Sequence, residues 1–176
     1  MSEPLSLATL ERRLRRFEAQ DSVRACMNRY MVLCDGLDAH TPLNELAGLF
    51  TQDAVWEGKG AKYAKSFGGY RGREAIATMF AGYMKSPAHF ALNVHFLTSE
   101  LIEVHDDHVL GSWVMLQTST FASGASHLNA ARLTVHFSQE DGQWRMAHFQ
   151  TENLFGRPVQ AWNSEDDLPV PQTPKR

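Results

Sequence analysis

Apolar residues recur at three- and four-residue steps through the start of the chain: Leu7, Leu10, Leu14 and Phe17, then Val23, Met27, Tyr30 and Met31. That spacing puts side chains on one face of an α-helix. Helix formers fill the gaps as far as Gly36, a residue that commonly ends helices. The stripe drifts, so the run reads either as one long helix or as two, with Asp21-Ser22 capping the second. Thr41-Pro42 predicts a short helix through Leu46 and Leu49-Phe50, with Thr as its cap and Pro at its first position. Ala54 to Glu57 reads as a strand, and the Gly-rich stretch from Gly58 to Gly72 as a loop with extended pieces around Phe67 and Tyr70. Arg73 to Met84 is a further predicted helix, with Ile76, Met79, Phe80 and Tyr83 on one side.

From Asn93 the pattern changes to strands. Val94 to Val104 and Val109 to Phe121 are β-rich runs joined by the turn His105-Asp106-Asp107-His108. Gly124 to Asn129 reads as a looser connection, and Arg132 to Phe137 alternates. Asp141-Gly142 supplies a hairpin turn, and Trp144 to Phe155 is a last long strand. Helices first and a meander of long strands second is an α+β plan. The expected architecture is a cone-shaped, curved mixed or antiparallel sheet wrapped around the N-terminal helices, with a central apolar pocket. Residues 1–176 form one domain in this reading. Its core covers about 20–155, with 1–19 a helical arm and 156–176 a polar, Pro-rich C-terminal arm or tail.

Composition adds exclusions. At 176 residues and 43% hydrophobic, the chain can bury a core without help from disulfides or a structural metal. Its 17 basic and 20 acidic residues leave a net charge of −3, against the basic excess expected of a nucleic-acid binder. The Arg12, Arg13, Arg15, Arg16 cluster reads as a solvated helical face. No apolar run reaches the length of a membrane span, and charges crowd positions 11 to 24 where a signal peptide would be apolar. Cys26 and Cys34, eight residues apart on one helix, lie roughly 12 Å apart, too far to bridge. The chain therefore reads as cytoplasmic and reduced.

The segments RYMVLCDGLD, ELAGLFTQDAVWEG, YRGREAIATMF, VHFLTSELIEVHDDHVLGSWVMLQ and ARLTVHFSQEDGQWRMAHFQTENLF resemble, in order, the pattern of the SnoaL-like family of the nuclear transport factor 2 fold. Scytalone dehydratase, bile-acid 7α-dehydratase and ketosteroid isomerase share that fold. The resemblance covers about residues 20 to 155. It implies a cone open at one end to a small hydrophobic substrate, no cofactor, no metal, and a homo-oligomer, with a trimer favoured over a dimer. It also implies a site made of a helix-borne Tyr, an Asp shortly after it and a His near the start of a long strand, here Tyr30, Asp35 and His95. The chain departs from the dehydratase patterns at Gln117, Ser119 and Asn153, which implies a different substrate.

Those three residue types suit elimination of water. Histidine titrates near neutral pH and can act as both acid and base. A carboxylate can orient the ring, and a phenol can donate to a developing oxyanion or a leaving group. His95 is the expected acid/base, Asp35 its partner and Tyr30 the donor. Substrate-binding candidates are Trp56, Trp113, Met115, Gln117, His148 and Asn153, with His136 and Phe149 further possible lining and His89 and Phe90 on a rim. His105 and His108 read as turn residues, and no metal-binding spacing occurs. The Gly58–Gly72 segment fits no phosphate-binding pattern and reads instead as a flap over the mouth. Dehydration of an aromatic or polycyclic hydroxy compound is the leading expectation. Retro-aldol cleavage, proton-shuttling isomerisation with Asp35 as base, and a non-catalytic binding module remain open at this level. Convergence of Tyr30, Asp35 and His95 on one cavity would separate an enzyme from a module.

Overall fold

A computed structural model of the chain describes residues 6–160. Helix α1 spans Leu7–Asp35 without interruption, so the drifting stripe is one helix and Asp21-Ser22 lies inside it. Ser6 caps it, its hydroxyl accepting the Thr9 N–H. The second half of α1 buries Val23, Met27, Tyr30 and Met31. The first half leaves Leu7, Leu10, Leu14 and Phe17 on the surface.

Helix α2 spans Leu43–Gly48. Thr41 does not cap it: its hydroxyl accepts the Asp38 N–H and donates to the Gly36 carbonyl, tying the end of α1 to the following turn. Strand β1, Phe50–Lys59, is longer than the four residues expected. The Gly58–Gly72 segment is not a loop. It holds helix α3, Gly60–Ser66, and strand β2, Gly69–Arg71. Gly60 turns the chain at φ +71°, and the helix-forming run Ala61 to Lys65 then makes two turns. The flanking glycines mask that run in the sequence. Helix α4 spans Arg73–Ala81, three residues shorter than expected.

Strands β3 (Phe90–Val104), β4 (Val109–Phe121), β5 (Ser126–Glu140) and β6 (Gln143–Val159) follow. The connection expected at Gly124 to Asn129 is mostly strand, because β5 begins at Ser126 opposite Thr120. Likewise β6 continues to Val159, opposite Ser126, so the first residues of the expected C-terminal arm belong to the sheet. Residues 161–176 lie outside the described residues.

The six strands form one sheet in the order β2-β1-β6-β5-β4-β3. β1 runs parallel to β6, and every other pair is antiparallel, so the sheet is mixed. Breaks in register at Phe50/Val55, Thr98/Leu101, Ala130/Ala131 and His136/Phe137 bend the long strands. The sheet thus curls around α1, which packs against β3, β4 and β6. One end of this hollow is filled by Phe50, Leu46, Ile76, Val135, Phe137 and Met146. The other end stays open.

Helix α3 closes part of that opening, and Gly58 makes its approach possible. A Cβ at Gly58 would lie 2.4 Å from the Tyr63 carbonyl oxygen, a main-chain atom that cannot swing aside. Gly58→Ala is therefore expected to lift α3 from the sheet at a cost of about 1–3 kcal/mol. Tryptic cleavage after Lys62 and Lys65 should become faster in this variant, with the rest of the domain still protected. Unchanged cleavage would mean that α3 does not depend on the contact.

Candidate active site

The open end of the hollow is a cavity of about 760 Å³. Its floor is aromatic. Trp56 on β1 stacks on Phe149 of β6 with ring centroids 5.8 Å apart and planes 9° apart, and Tyr30 leans on Phe149 at 5.1 Å. The Trp56 indole N–H donates to the Tyr30 hydroxyl at 3.1 Å, which gives both buried polar groups a partner. Burial pushes the Tyr30 phenol well above its usual pKa, so it stays protonated. Burial likewise pushes the Cys34 thiol up to about 12. At the mouth Phe90 stacks with Phe121 at 5.2 Å, and His89 meets both edge-on.

His95 and Asp35 meet at the side wall. Asp35 is the last residue of α1, where the helix ends against β3. One carboxylate oxygen, Oδ1, accepts both the backbone N–H of His95 at 2.9 Å and its ring Nδ1 at 2.6 Å. Two bonds to one oxygen fix the ring's position and place its proton on Nδ1. Nε2 is then the basic nitrogen. It has no hydrogen-bond partner among the described residues, and the ring lines the cavity.

A chain of amides crosses the inner face of the sheet from β3 to β6. Asn93 Nδ2 donates to the Cys34 carbonyl at 3.1 Å, and its Oδ1 accepts from Gln117 Nε2 and the Ser119 hydroxyl, each at 2.8 Å. Asn129 Nδ2 donates to the Tyr63 hydroxyl at 2.7 Å, and Asn129 Oδ1 accepts from Asn153 Nδ2 at 2.7 Å. These residues all line the cavity. They give an otherwise apolar hollow one polar wall.

Of the residues expected from the sequence, Tyr30, His95, Trp56, Met115, Gln117 and Asn153 line this cavity. Asp35 stands behind His95. Trp113 and His148 do not line it, and both expectations are corrected. Trp113 is on the inner face of β4 but at the filled end, its indole lying over Gly111 and beside Phe137 and its N–H reaching Glu100 at 3.3 Å. His148 alternates with the inward Phe149 and faces out. Its Nε2 meets Glu57 at 3.0 Å and its ring lies 5.8 Å from His136, also on the outer face. Burial, followed by repulsion from His148, pulls the His136 pKa down.

Cavity residues that escaped the sequence reading include Tyr63, Asn93, His127 and Asn129. A signal for the last three exists. Polar residues two apart interrupt the apolar strand pattern at Asn93/His95, Gln117/Ser119 and His127/Asn129, and period-two polar pairs share one face. Tyr63 has no such signal, because α3 itself was hidden. His105 and His108 stack on one another at 4.4 Å, with Asp107 on His108. Among the described residues no three His, Cys, Asp or Glu side chains come together as a metal-ligand set. Nor does any described helix have the length and apolarity to cross a membrane.

The sequence pattern of the SnoaL-like domain matches residues 15–150. No curated protein matches the chain. Among solved structures, the hexachlorocyclohexane dehydrochlorinase LinA-type3 of Novosphingobium barchaimii superposes with a TM-score of 0.67 at 21% identity, over 89% of this chain and 99% of its own. A scytalone dehydratase-like protein of Novosphingobium aromaticivorans gives a TM-score of 0.66 at 16% identity, over 86% and 97%. A function-unknown protein of Mycobacterium tuberculosis gives 0.61 at 24% identity, over 79% and 73%. At these identities the likeness is one of fold.

Proposed function

Because the chain belongs to the SnoaL-like domain family, whose fold it shares with structures named for dehydration and dehydrochlorination, we propose that it is a lyase. In this reading it removes water from a small hydrophobic hydroxy compound by acid/base catalysis, without a cofactor. One observation carries the proposal: Asp35 Oδ1 grips both the backbone and the ring of His95, leaving Nε2 to face a largely apolar cavity. A module that only binds ligand has no need of an imidazole held in one tautomer.

The chemistry follows from that geometry. His95 Nε2 takes a proton from a carbon of the substrate, and that C–H electron pair becomes the new double bond as the neighbouring C–O bond breaks. The imidazolium, stabilised by Asp35, hands its proton to the departing hydroxide, which leaves as water. Proton and electrons balance within substrate and dyad. The Tyr30 hydroxyl accepts the Trp56 indole N–H, which holds Trp56 in the floor, and its own hydrogen can serve a substrate oxygen in the cavity that it lines. Isomerisation with Asp35 as the base has less support, since the carboxylate lies behind the imidazole. A screen of aromatic and steroid-like alcohols by mass spectrometry tests the reading. The expected product is lighter by one water with the wild type and absent with His95→Ala. A product of unchanged mass, or one lacking a carbon fragment, would replace dehydration by isomerisation or carbon–carbon cleavage.

We also propose that the protein self-associates through its N-terminal helix, as a trimer or, failing that, a dimer. Leu7, Leu10, Leu14 and Phe17 are 74%, 49%, 58% and 63% exposed, and their alternating three- and four-residue steps match the seam of a coiled coil. Arg13 and Glu18 flank that seam at positions that pair between parallel helices. A second copy satisfies both features. Leu10→Glu with Leu14→Glu should yield a folded monomer by light scattering, and a mass unchanged from the wild type would place the interface elsewhere.

A further inference from the structure

The amide chain on the polar wall has a direction, and that direction ends at Tyr63. Asn153 Nδ2 lies 3.1 Å from the Phe155 carbonyl and 3.4 Å from the Ala130 carbonyl. Main-chain carbonyls only accept, so this atom is the amide nitrogen. Asn129 must then present its oxygen to Asn153 and its nitrogen to Tyr63. The Tyr63 hydroxyl is thereby an acceptor, and its own hydrogen has no acceptor among the described residues. Tyr30 also accepts, from Trp56, but it is buried in the floor at 5% exposure, whereas Tyr63 is half-buried at the polar wall with its own hydrogen unspent.

We propose that the Tyr63 O–H is an oxygen-recognition subsite, which selects substrates carrying a carbonyl or aromatic hydroxyl oxygen in addition to the group that leaves. His95, Gln117 and Asn129 are paired neighbours on three adjacent strands, so Tyr63 docks about two strand spacings, roughly 10 Å, from the dyad. A ring system spanning that row would offer its C–H to His95 and its oxygen to Tyr63. Charge pushed onto that oxygen during proton removal would strengthen the bond, which makes Tyr63 a candidate for stabilising an enolate or phenolate.

This inference rests on the reading of the cavity as a substrate site, but its test needs no turnover. The probes are 2-naphthol and its near-isostere 2-methylnaphthalene, titrated by fluorescence or calorimetry. The wild type should bind 2-naphthol about tenfold more tightly, the scale of one hydrogen bond. Tyr63→Phe should erase that preference while leaving 2-methylnaphthalene affinity unchanged, and His95→Ala should keep the preference. The subsite is overturned if the wild type shows no preference, if the preference survives in Tyr63→Phe, or if it disappears in His95→Ala instead. Equal weakening of both probes in Tyr63→Phe also overturns it, since the phenol would then only latch α3 to the sheet. A protein that passes this test yet eliminates water from no alcohol would retain the subsite and lose the lyase reading.

Discussion

His95→Ala is expected to lower turnover by about 10²–10⁴-fold, the usual weight of a positioned proton transfer. The loss should fall on kcat rather than KM, because the imidazole is one small part of a wall that otherwise binds by apolar contact. Asp35→Asn is the sharper variant. An amide oxygen in the place of Oδ1 still accepts the His95 backbone N–H and the ring Nδ1–H, so the end of α1 stays docked on β3 and the tautomer is kept. What is lost is the negative charge that stabilises the imidazolium formed when Nε2 takes a proton. A loss of similar size is therefore expected with an unchanged circular dichroism spectrum. Near-native turnover in both variants would take the dyad out of the chemistry and leave the cavity as a binding site.

Phe50→Ala should cost the fold about 3–5 kcal/mol. Phe50 is 0% exposed at the start of β1. Its ring meets Tyr30 edge-on at 5.8 Å and Phe80 at 6.4 Å. Deleting it removes the shared partner beneath Tyr30, and a helix, a strand and a second helix cannot all move inward to fill the gap. A fall in melting temperature of roughly 10 °C is expected for a domain of this size. Because Tyr30 also supports Trp56, the cavity floor should loosen, and affinity for flat aromatic probes should fall with stability. A shift within a degree or two would show that the hollow collapses without strain.

The long elements were legible because their signals are local and repeated. Val23, Met27, Tyr30 and Met31 mark the buried face of α1 by spacing alone, and the alternation of β4 and β6 places Met115, Gln117, Phe149 and Asn153 on the inner face. The pairing of Asp35 with His95, 60 positions apart, was legible only through the family resemblance carried by the RY-x4-D spacing and the H-F-L-T stretch. Short elements were not legible. Seven residues of α3 carry too little periodicity to outweigh four nearby glycines, and Thr41-Pro42 looked like a cap while its hydroxyl was tying off α1.

What the sequence determined by itself is which face each strand and helix presents, since the two-residue and 3.6-residue periods are properties of a single segment. It could not determine how far along a strand the packed core ends and the hollow begins. Trp113 and Met115 share one face of β4, yet the first is core and the second is cavity wall. That boundary depends on which helix lies opposite, and so on contacts between distant segments. The tertiary structure also decided which hydrogens remain free: the register of β3 through β6 and the docking of α3 join Asn93, Gln117, Asn129, Asn153 and Tyr63 into one chain. Hydrogen-bond direction along such a chain is set by main-chain carbonyls at its ends, which only the assembled sheet brings into reach.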